Sequence, residues 1–213
     1  MERLICVLVG YVFGLIQTGY IYGKKNGVDL RKKGSGNAGT TNALRTMGWK
    51  AGAVTLLGDC FKCVAAVVVV HLIYGKTHTD MMPLLSMYAG MGAVLGHNYP
   101  FYLKFKGGKG IAATAGLIIS TTNIWIVLIC LAAFIAIVAA TRYVSLGSMT
   151  VVTIYLISVI VYGQHGGFGV ENVSYLHEMY GVAAFLMILA FWRHRANIKR
   201  LLSGTENKIS VGG

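Results

Sequence analysis

The sequence predicts an all-α integral membrane protein, a bundle of seven transmembrane helices. Of its 213 residues, 55% are hydrophobic and only 12% are charged, whereas soluble domains carry about 25% charged residues. Several apolar runs approach or exceed the roughly 20 residues that a helix needs to cross a bilayer. The 19 Lys and Arg, against 7 Asp and Glu, lie mostly in the intervening loops. Such a basic excess also occurs in nucleic-acid-binding proteins, but the apolar runs leave no soluble domain to carry a basic face.

Seven apolar runs are separated by polar or glycine-rich loops. They cover residues 3–23, 51–74, 82–98, 111–121, 123–141, 145–163 and 175–192. The short run 111–121 is counted as a span because tilting, a thin membrane or burial by neighbouring helices can accommodate it. The first run starts at once and is long enough to span, so we expect no separate signal peptide.

The basic residues support this count. If the N-terminus is outside and the spans alternate, all 19 Lys and Arg except Arg3, Lys62 and Lys76 lie on the cytoplasmic side, as the positive-inside rule requires. The C-terminus is then cytoplasmic, and the polar loops meet at one membrane face. We expect a single domain over residues 1–213, with 207–213 as a disordered tail.

The charged residues and cysteines inside the apolar runs favour structural roles. Asp59 and Lys62 lie three residues apart on a predicted helix. A charge at mid-bilayer costs about 2.5–3.5 kcal/mol, so these two side chains should pair. All four cysteines, Cys6, Cys60, Cys63 and Cys130, lie in apolar runs. We expect them to be small buried residues, with no disulfide, no metal and no cofactor.

The most polar stretch runs from Gly34 to Arg45. Glycines alternating with small polar side chains can direct backbone N–H groups at an oxyanion. A helix predicted from Thr40 would add the positive end of its dipole, and the Arg45 guanidinium can hold phosphate through two parallel N–H groups. The alternative is a flexible basic loop. The features together favour an anion site.

Residues 104–110 join three lysines to three glycines directly before a predicted helix. Ammonium groups, backbone N–H groups and a helix N-terminus all suit phosphate, and the adjacent glycines predict close backbone approach to a ligand. The alternative is a basic loop that meets anionic lipid headgroups. The Walker A pattern is absent, so nucleotide hydrolysis is not indicated.

A third polar stretch follows the last apolar run. His194 and Asn197 lie three residues apart and would share a face if the helix continues; the alternative for His194 is a surface residue at a helix end. Glu206 is assigned a structural role. A further small polar group, which could line a cavity, comprises Arg142, Ser145 and Ser148.

These stretches, in this order, resemble the acyl-phosphate-dependent glycerol-3-phosphate acyltransferases, the PlsY family of bacteria. The matching sequences are GSGNAGTTN (34–42), HNYPFYLKFKGGKG (97–110) and HRANIKRLLSGTE (194–206). The segments 59–62 and 142–145 also look like family segments, while Cys63 stands where the family often has glycine. The resemblance implies transfer of a fatty acyl group from acyl phosphate to the 1-hydroxyl of sn-glycerol 3-phosphate. The products would be lysophosphatidate and phosphate, in the first step of bacterial phospholipid synthesis.

The resemblance also implies roles for individual residues. The catalytic residues would be Ser35, Arg45, His194 and Asn197. The substrate-binding residues would be Asn37, Thr41, Lys104, Gly107, Gly108, Gly110 and Ser145. The glycerol hydroxyl would attack the acyl carbonyl, and either the leaving phosphate or His194 would accept its proton.

The partners implied are acyl phosphate, glycerol 3-phosphate and the lipid bilayer, with neither nucleic acid nor an obligatory protein partner. The expected location is the bacterial plasma membrane, with the active site facing the cytoplasm.

Three other classes match part of the pattern. A transporter would use the intramembrane Asp/Lys pair, but the polar residues cluster at one face and no inverted repeat is evident. A structural lipid-binding scaffold would have little need of dense glycine motifs. Acyl-CoA or acyl-carrier-protein acyltransferases carry a His-x₄-Asp pair, and none of the 6 histidines has Asp five positions later.

Overall fold

The computed structural model describes residues 1–209, and that part of the chain contains helices and loops but no β-strand. The described helices are α1 (Glu2–Gly14), α2 (Thr18–Lys25), α3 (Thr40–Met47), α4 (Trp49–Tyr74), α5 (Met82–Asn98), α6 (Ile111–Thr121), α7 (Ile124–Thr141), α8 (Val144–Gln164), α9 (Val173–Arg193) and α10 (Arg195–Leu202). The predicted all-α class is therefore confirmed.

Within residues 1–209, five helical segments are long and apolar enough to cross a membrane. They are Glu2–Lys25, Trp49–Tyr74, Ile124–Thr141, Val144–Gln164 and Val173–Arg193. The predicted spans 82–98 and 111–121 form α5 and α6, of 17 and 11 residues. Both are shorter than the roughly 20 residues of a straight crossing, so the count of seven stays a prediction.

The first predicted span is two helices, because α1 ends at Gly14 and α2 begins at Thr18. Gln17 lies in the break and is only 1% exposed. Its Nε2 donates to the carbonyl oxygens of Gly14 at 3.2 Å, Gly96 at 3.4 Å and His97 at 3.1 Å. The side-chain amide therefore bridges the end of α1 to carbonyls in the last turn of α5, where a helix leaves carbonyls without intrahelical partners.

The chain divides into two compact units, Met1–Thr121 and the residues from Thr122 onward. In the first unit, α1 packs closely on α5, and α4 contacts α1, α3, α5 and α6. A Cβ atom on Gly10 would collide with the backbone carbonyl of Ala89, and one on Gly92 with that of Val7. Small residues thus let the backbones of α1 and α5 touch, as is common between membrane helices.

In the second unit, α7 packs on α8 and α8 on α9. Tyr155, Val159 and Met179 are among its fully buried side chains. Only 11% of the residues of α7 are buried within the protein, which is typical of a helix that presents most of its surface to lipid. Residues 210–213 of the predicted tail lie outside the described residues, whereas Ile209 donates its N–H to the carbonyl of Arg142 at 2.9 Å.

Candidate active site

The loop of the first polar stretch takes its shape from one buried amide, that of Asn42. This side chain is 2% exposed. Its Nδ2 donates to the carbonyl oxygens of Leu30 and Lys33 at 3.0 Å and of Asn37 at 2.9 Å. Its Oδ1 accepts the backbone N–H of Ser35 at 2.9 Å. Asn42 therefore ties four points of the loop together and fixes the position of Ser35.

Two glycines of this loop are required by its backbone. Gly34 and Gly36 have φ values of +57° and +70°, a region that glycine occupies at little cost. A Cβ atom on Gly34 would also collide with Oδ1 of Asn42. The side chain of Asn37, half-buried, accepts the N–H of Gly39 at 2.9 Å, so Asn37 shapes the turn just before α3.

The predicted helix start is confirmed, because α3 begins at Thr40 and no side chain caps its N-terminus. Ser35 and Arg45 are exposed, and Thr41 is half-buried in the first turn. Within the described residues, Oγ1 of Thr40 is buried without a hydrogen-bond partner. An uncapped helix N-terminus next to exposed Ser and Arg side chains offers several donors to an anion.

The second loop contains two strained residues, Lys104 and Phe105. Both have left-handed backbones, with φ values of +54° and +58°, and both side chains are exposed. A non-glycine residue in this region costs on the order of 1–3 kcal/mol, and such residues cluster at binding sites. The fold therefore presents the Lys104 ammonium to solvent at a conformational cost.

The glycines of this loop meet the protein itself. A Cβ atom on Gly107 would collide with the carbonyl oxygen of His97, and one on Gly108 with Nε2 of its imidazole. The Gly107 N–H donates to the carbonyl of Asn98 at 3.2 Å, and the Gly108 N–H to that of His97 at 3.1 Å. Gly110 has a φ of +83°. Packing on the end of α5 thus explains glycines that the sequence attributed to close approach of a ligand.

A buried polar cluster lies at the same end of α5. Nζ of Lys62 is 2.8 Å from Oδ1 of Asp59, and the two side chains are 2% and 1% exposed; the predicted ion pair is confirmed. Nζ also donates to the carbonyl of Ile16 at 2.6 Å and lies 2.9 Å from Nδ1 of His97. All four cysteines are buried and free. The sequence predicted no role of its own for His97, although the residue opens the motif 97–110.

In the second unit, the last long helix is interrupted at His194. Helix α9 ends at Arg193 and α10 begins at Arg195, so His194 and Asn197 do not lie on one continuing helix. The His194 side chain is 2% exposed, and its Nδ1 lies 2.8 Å from the carbonyl oxygen of Ala190. Because a carbonyl only accepts, Nδ1 carries the proton. In the neutral ring, the lone pair is therefore on Nε2.

Glu206 joins three side chains of the second unit. Its Oε1 accepts from Oγ of Ser145 at 2.9 Å and from Nδ2 of Asn197 at 2.6 Å, and its Oε2 accepts from Nε of Arg200 at 2.7 Å. Burial alone would raise the pKa of Glu206, but hydrogen bonds from Asn197, Ser145 and Arg200 outweigh it and hold the pKa below the ordinary value. Because the Ser145 hydroxyl already donates to Glu206, its oxygen remains as an acceptor.

The predicted residues thus fall into three groups. In the first unit, one loop and helix carry Ser35, Asn37, Thr41 and Arg45, and a second loop carries Lys104, Gly107, Gly108 and Gly110. In the second unit, Ser145 and Asn197 share Glu206. Ser148 donates to the carbonyl of Val144 within its own helix at 2.8 Å. Among the described residues, no group of three His, Cys, Asp or Glu is placed to hold a metal ion.

Comparison with known proteins identifies relatives along nearly the whole chain. The family model described as glycerol-3-phosphate acyltransferase matches residues 4–204. A glycerol-3-phosphate acyltransferase of Clostridioides difficile is 44% identical over 207 residues, covering 97% of this chain and 95% of the relative. One from Halalkalibacterium halodurans is 42% identical over 206 residues, covering 95% and 93%.

A solved structure has the same fold. The crystal structure of PlsY, an integral membrane glycerol 3-phosphate acyltransferase in its glycerol 3-phosphate form, matches with a TM-score of 0.83 and 31% identity, covering 99% of this chain and 96% of that one. Its lysophosphatidic acid form matches with a TM-score of 0.81 and 30% identity. The likeness to an integral membrane protein agrees with the five apolar spans.

Proposed function

The chain belongs to the glycerol-3-phosphate acyltransferase family, and we propose that it transfers a fatty acyl group from acyl phosphate to the 1-hydroxyl of sn-glycerol 3-phosphate. The products are lysophosphatidate and phosphate. The observation that carries the proposal is the family match over residues 4–204. The glycerol 3-phosphate and lysophosphatidic acid forms of the solved relative support this substrate and this product.

The first unit supplies two anion-binding loops. In the loop at 34–45, phosphate binding is assigned to the N-terminus of α3 together with half-buried Asn37 and Thr41. Exposed Arg45 binds the same phosphate through its planar guanidinium. Ser35, whose backbone is fixed by Asn42, is assigned to the reacting groups. In the second loop, Lys104 and the turn that contains Gly107, Gly108 and Gly110 bind glycerol 3-phosphate, with the Lys104 ammonium directed at its phosphate.

The reaction is direct acyl transfer. The glycerol oxygen attacks the acyl carbonyl carbon, a new ester C–O bond forms, and the C–O bond to phosphate breaks. Arg45 and backbone N–H groups stabilise the charge that develops on the carbonyl and phosphate oxygens. The hydroxyl proton is taken by Nε2 of His194 or by the leaving phosphate. The fixed Nδ1–H of His194 favours His194, because its Nε2 lone pair is then the basic one.

The polar residues that contact Glu206 are assigned the remaining roles. Asn197, held by Glu206, orients the substrate through its amide. Ser145 accepts a hydrogen bond from a substrate hydroxyl, since its own proton is directed to Glu206.

The topology belongs to the same proposal. Seven membrane crossings place the N-terminus outside and the C-terminus in the cytoplasm, and residues 1–213 act as one acyltransferase domain of the bacterial plasma membrane. The activity needs no cofactor, metal or obligatory protein partner. Cysteines introduced at exposed Thr77 and Ser203 test the topology, because the four native cysteines are buried. A membrane-impermeant maleimide should label only T77C in intact cells; labelling of S203C would contradict the topology.

The donor is tested with purified protein in detergent. Labelled glycerol 3-phosphate is supplied with acyl phosphate, acyl-CoA or acyl-carrier protein in turn, and lysophosphatidate is measured. Product should form only with acyl phosphate. The variant S35A should lose activity, whereas the matched control S203A, at an exposed serine in the loop after α10, should retain it. Equal turnover with a thioester would refute the donor, and no product with any donor would refute the acyltransferase.

A further inference from the structure

The buried cluster of Asp59, Lys62 and His97 takes no part in the chemistry above. We propose that His97, kept neutral with its proton on Nε2 by Lys62, is the positioning residue for the glycine turn 107–110. This inference deepens the proposed function and rests on it, since that turn is assigned to glycerol 3-phosphate. His97 itself is buried, at 3% exposure, and acts through the turn.

The first step in the argument is the number of partners around Lys62. A lysine ammonium has three protons and no acceptor. Nζ of Lys62 faces the carbonyl oxygen of Ile16 at 2.6 Å, Oδ1 of Asp59 at 2.8 Å and Nδ1 of His97 at 2.9 Å. Two of these partners are oxygens that can only accept. The third proton therefore points at His97, and three acceptors satisfy the three donors of a charged lysine.

The second step concerns the proton on His97. The charged groups facing its Nδ1 are Lys62, at 2.9 Å, and Asp59, whose Oδ1 lies at 3.6 Å. When Lys62 donates, Nδ1 must be an acceptor, and the single ring proton is on Nε2. The charges of Asp59 and Lys62 then balance inside the protein. A protonated imidazole would place a second positive charge beside Nζ in a medium of low dielectric constant.

The third step links this ring to the turn. Nε2 faces Gly108 so closely that a Cβ atom there would collide with it. The carbonyl oxygen of His97 accepts the Gly108 N–H at 3.1 Å and an N–H of the Gln17 amide at 3.1 Å. The imidazole and the backbone of one residue therefore support the same turn, and the ion pair fixes the imidazole from the opposite edge.

The positioning role is tested with a double-mutant cycle. G108A introduces a methyl group against the imidazole, and H97N shortens the side chain while keeping an acceptor for Lys62. Each single variant should raise the KM for glycerol 3-phosphate about tenfold and leave the KM for acyl phosphate unchanged. If the two substitutions acted independently, the double variant H97N/G108A would raise the KM for glycerol 3-phosphate about a hundredfold. Because the shorter Asn leaves room for the methyl group, H97N/G108A should stay at about tenfold or below.

A matched glycine control comes from α9. A Cβ atom on Gly181 would meet nothing within 4 Å, so G181A should leave both KM values unchanged. A hundredfold effect in H97N/G108A, or equal rises in the two KM values of each single variant, would overturn the positioning role.

The protonation state is tested without reference to activity. In protein labelled with ¹⁵N at its 6 histidines, the signals lost in H97N identify His97. These signals should show an imidazole with a proton on Nε2 and none on Nδ1 from about pH 6 to about pH 8, the range in which an ordinary imidazole titrates. An imidazolium or an Nδ1–H ring in that range would overturn the proposal. This measurement on the wild-type chain stands even if the acyltransferase assignment fails.

Discussion

Replacement of Asn42 by alanine should unfold the loop that holds Ser35. The Asn42 amide donates with Nδ2 to three carbonyl oxygens and accepts one N–H with Oδ1. Because Nδ2 has only two hydrogens, the four contacts amount to about three full hydrogen bonds. At about 1 kcal/mol each, N42A should lower the free energy of unfolding by about 3 kcal/mol. The activity should fall as well, since Ser35 loses its backbone anchor.

The variant N42D provides a sharper test at nearly constant volume. It keeps the Oδ1 acceptor but turns a second acceptor oxygen towards three carbonyl groups, so N42D should be less stable than N42A at neutral pH. Acidification should narrow that difference, because a protonated carboxyl regains one donor. Exposed Asn26, whose amide donates to the carbonyl of Tyr22 at 2.8 Å, is the control, and N26A should cost less than about 0.5 kcal/mol.

Denaturation in mixed detergent micelles, followed by helical circular dichroism, measures these stabilities, and lysophosphatidate formation measures the activity. A loss below about 1 kcal/mol in N42A, or an N42D more stable than N42A at neutral pH, would refute the assignment of Asn42 as the centre of the loop.

Three further predictions concern the proposed catalytic residues and the Glu206 carboxylate that contacts Ser145 and Asn197. E206Q removes the carboxylate that accepts from Ser145, Asn197 and Arg200. Because the pKa of Glu206 is held below its ordinary value of 4.5, its stabilisation is present above about pH 4.5 and is lost on acidification. The difference in melting temperature between wild type and E206Q should therefore shrink at low pH; a constant difference would exclude the carboxylate charge as the cause. S35A and R45K should each lower kcat/KM by about 10²–10³-fold with unchanged melting temperatures, because both side chains are exposed; a fall in melting temperature would indicate structural roles instead. H194Q should lower the rate and abolish the acidic limb of the pH–rate profile; an unchanged profile would assign the proton to the leaving phosphate.

Features set by local sequence could be predicted. Long apolar runs predicted the helices, because a helix that crosses a membrane needs about 20 consecutive, mostly apolar residues. The spacing of Asp59 and Lys62 predicted their ion pair, since residues three apart share a helix face. Thr40 was identified as a helix start from the polar stretch before it.

Features that depend on distant partners were missed. The amide of Gln17 donates to the carbonyl oxygen of His97, which is 80 residues away in the sequence. Nζ of Lys62 contacts Nδ1 of the same residue, 35 residues away. No local pattern indicates such pairs, so the break between α1 and α2 and the role of His97 had no signal. Asn42 lies within the first motif, so the sequence did identify the segment that contains it. Its Nδ2 donates to carbonyl groups of earlier residues, which only the folded loop brings together.

The sequence by itself determined that this chain is helical and that it is a membrane protein, because hydrophobicity and charge are properties of each residue and its neighbours; that glycine-rich basic loops carry its chemistry stays a prediction. Tertiary structure alone decided the contacts of the individual polar groups. The packing of Gly108 against the His97 ring, the proton on Nδ1 of His194 and the direction of the Ser145 hydroxyl each depend on a single contact or acceptor that only folding brings close.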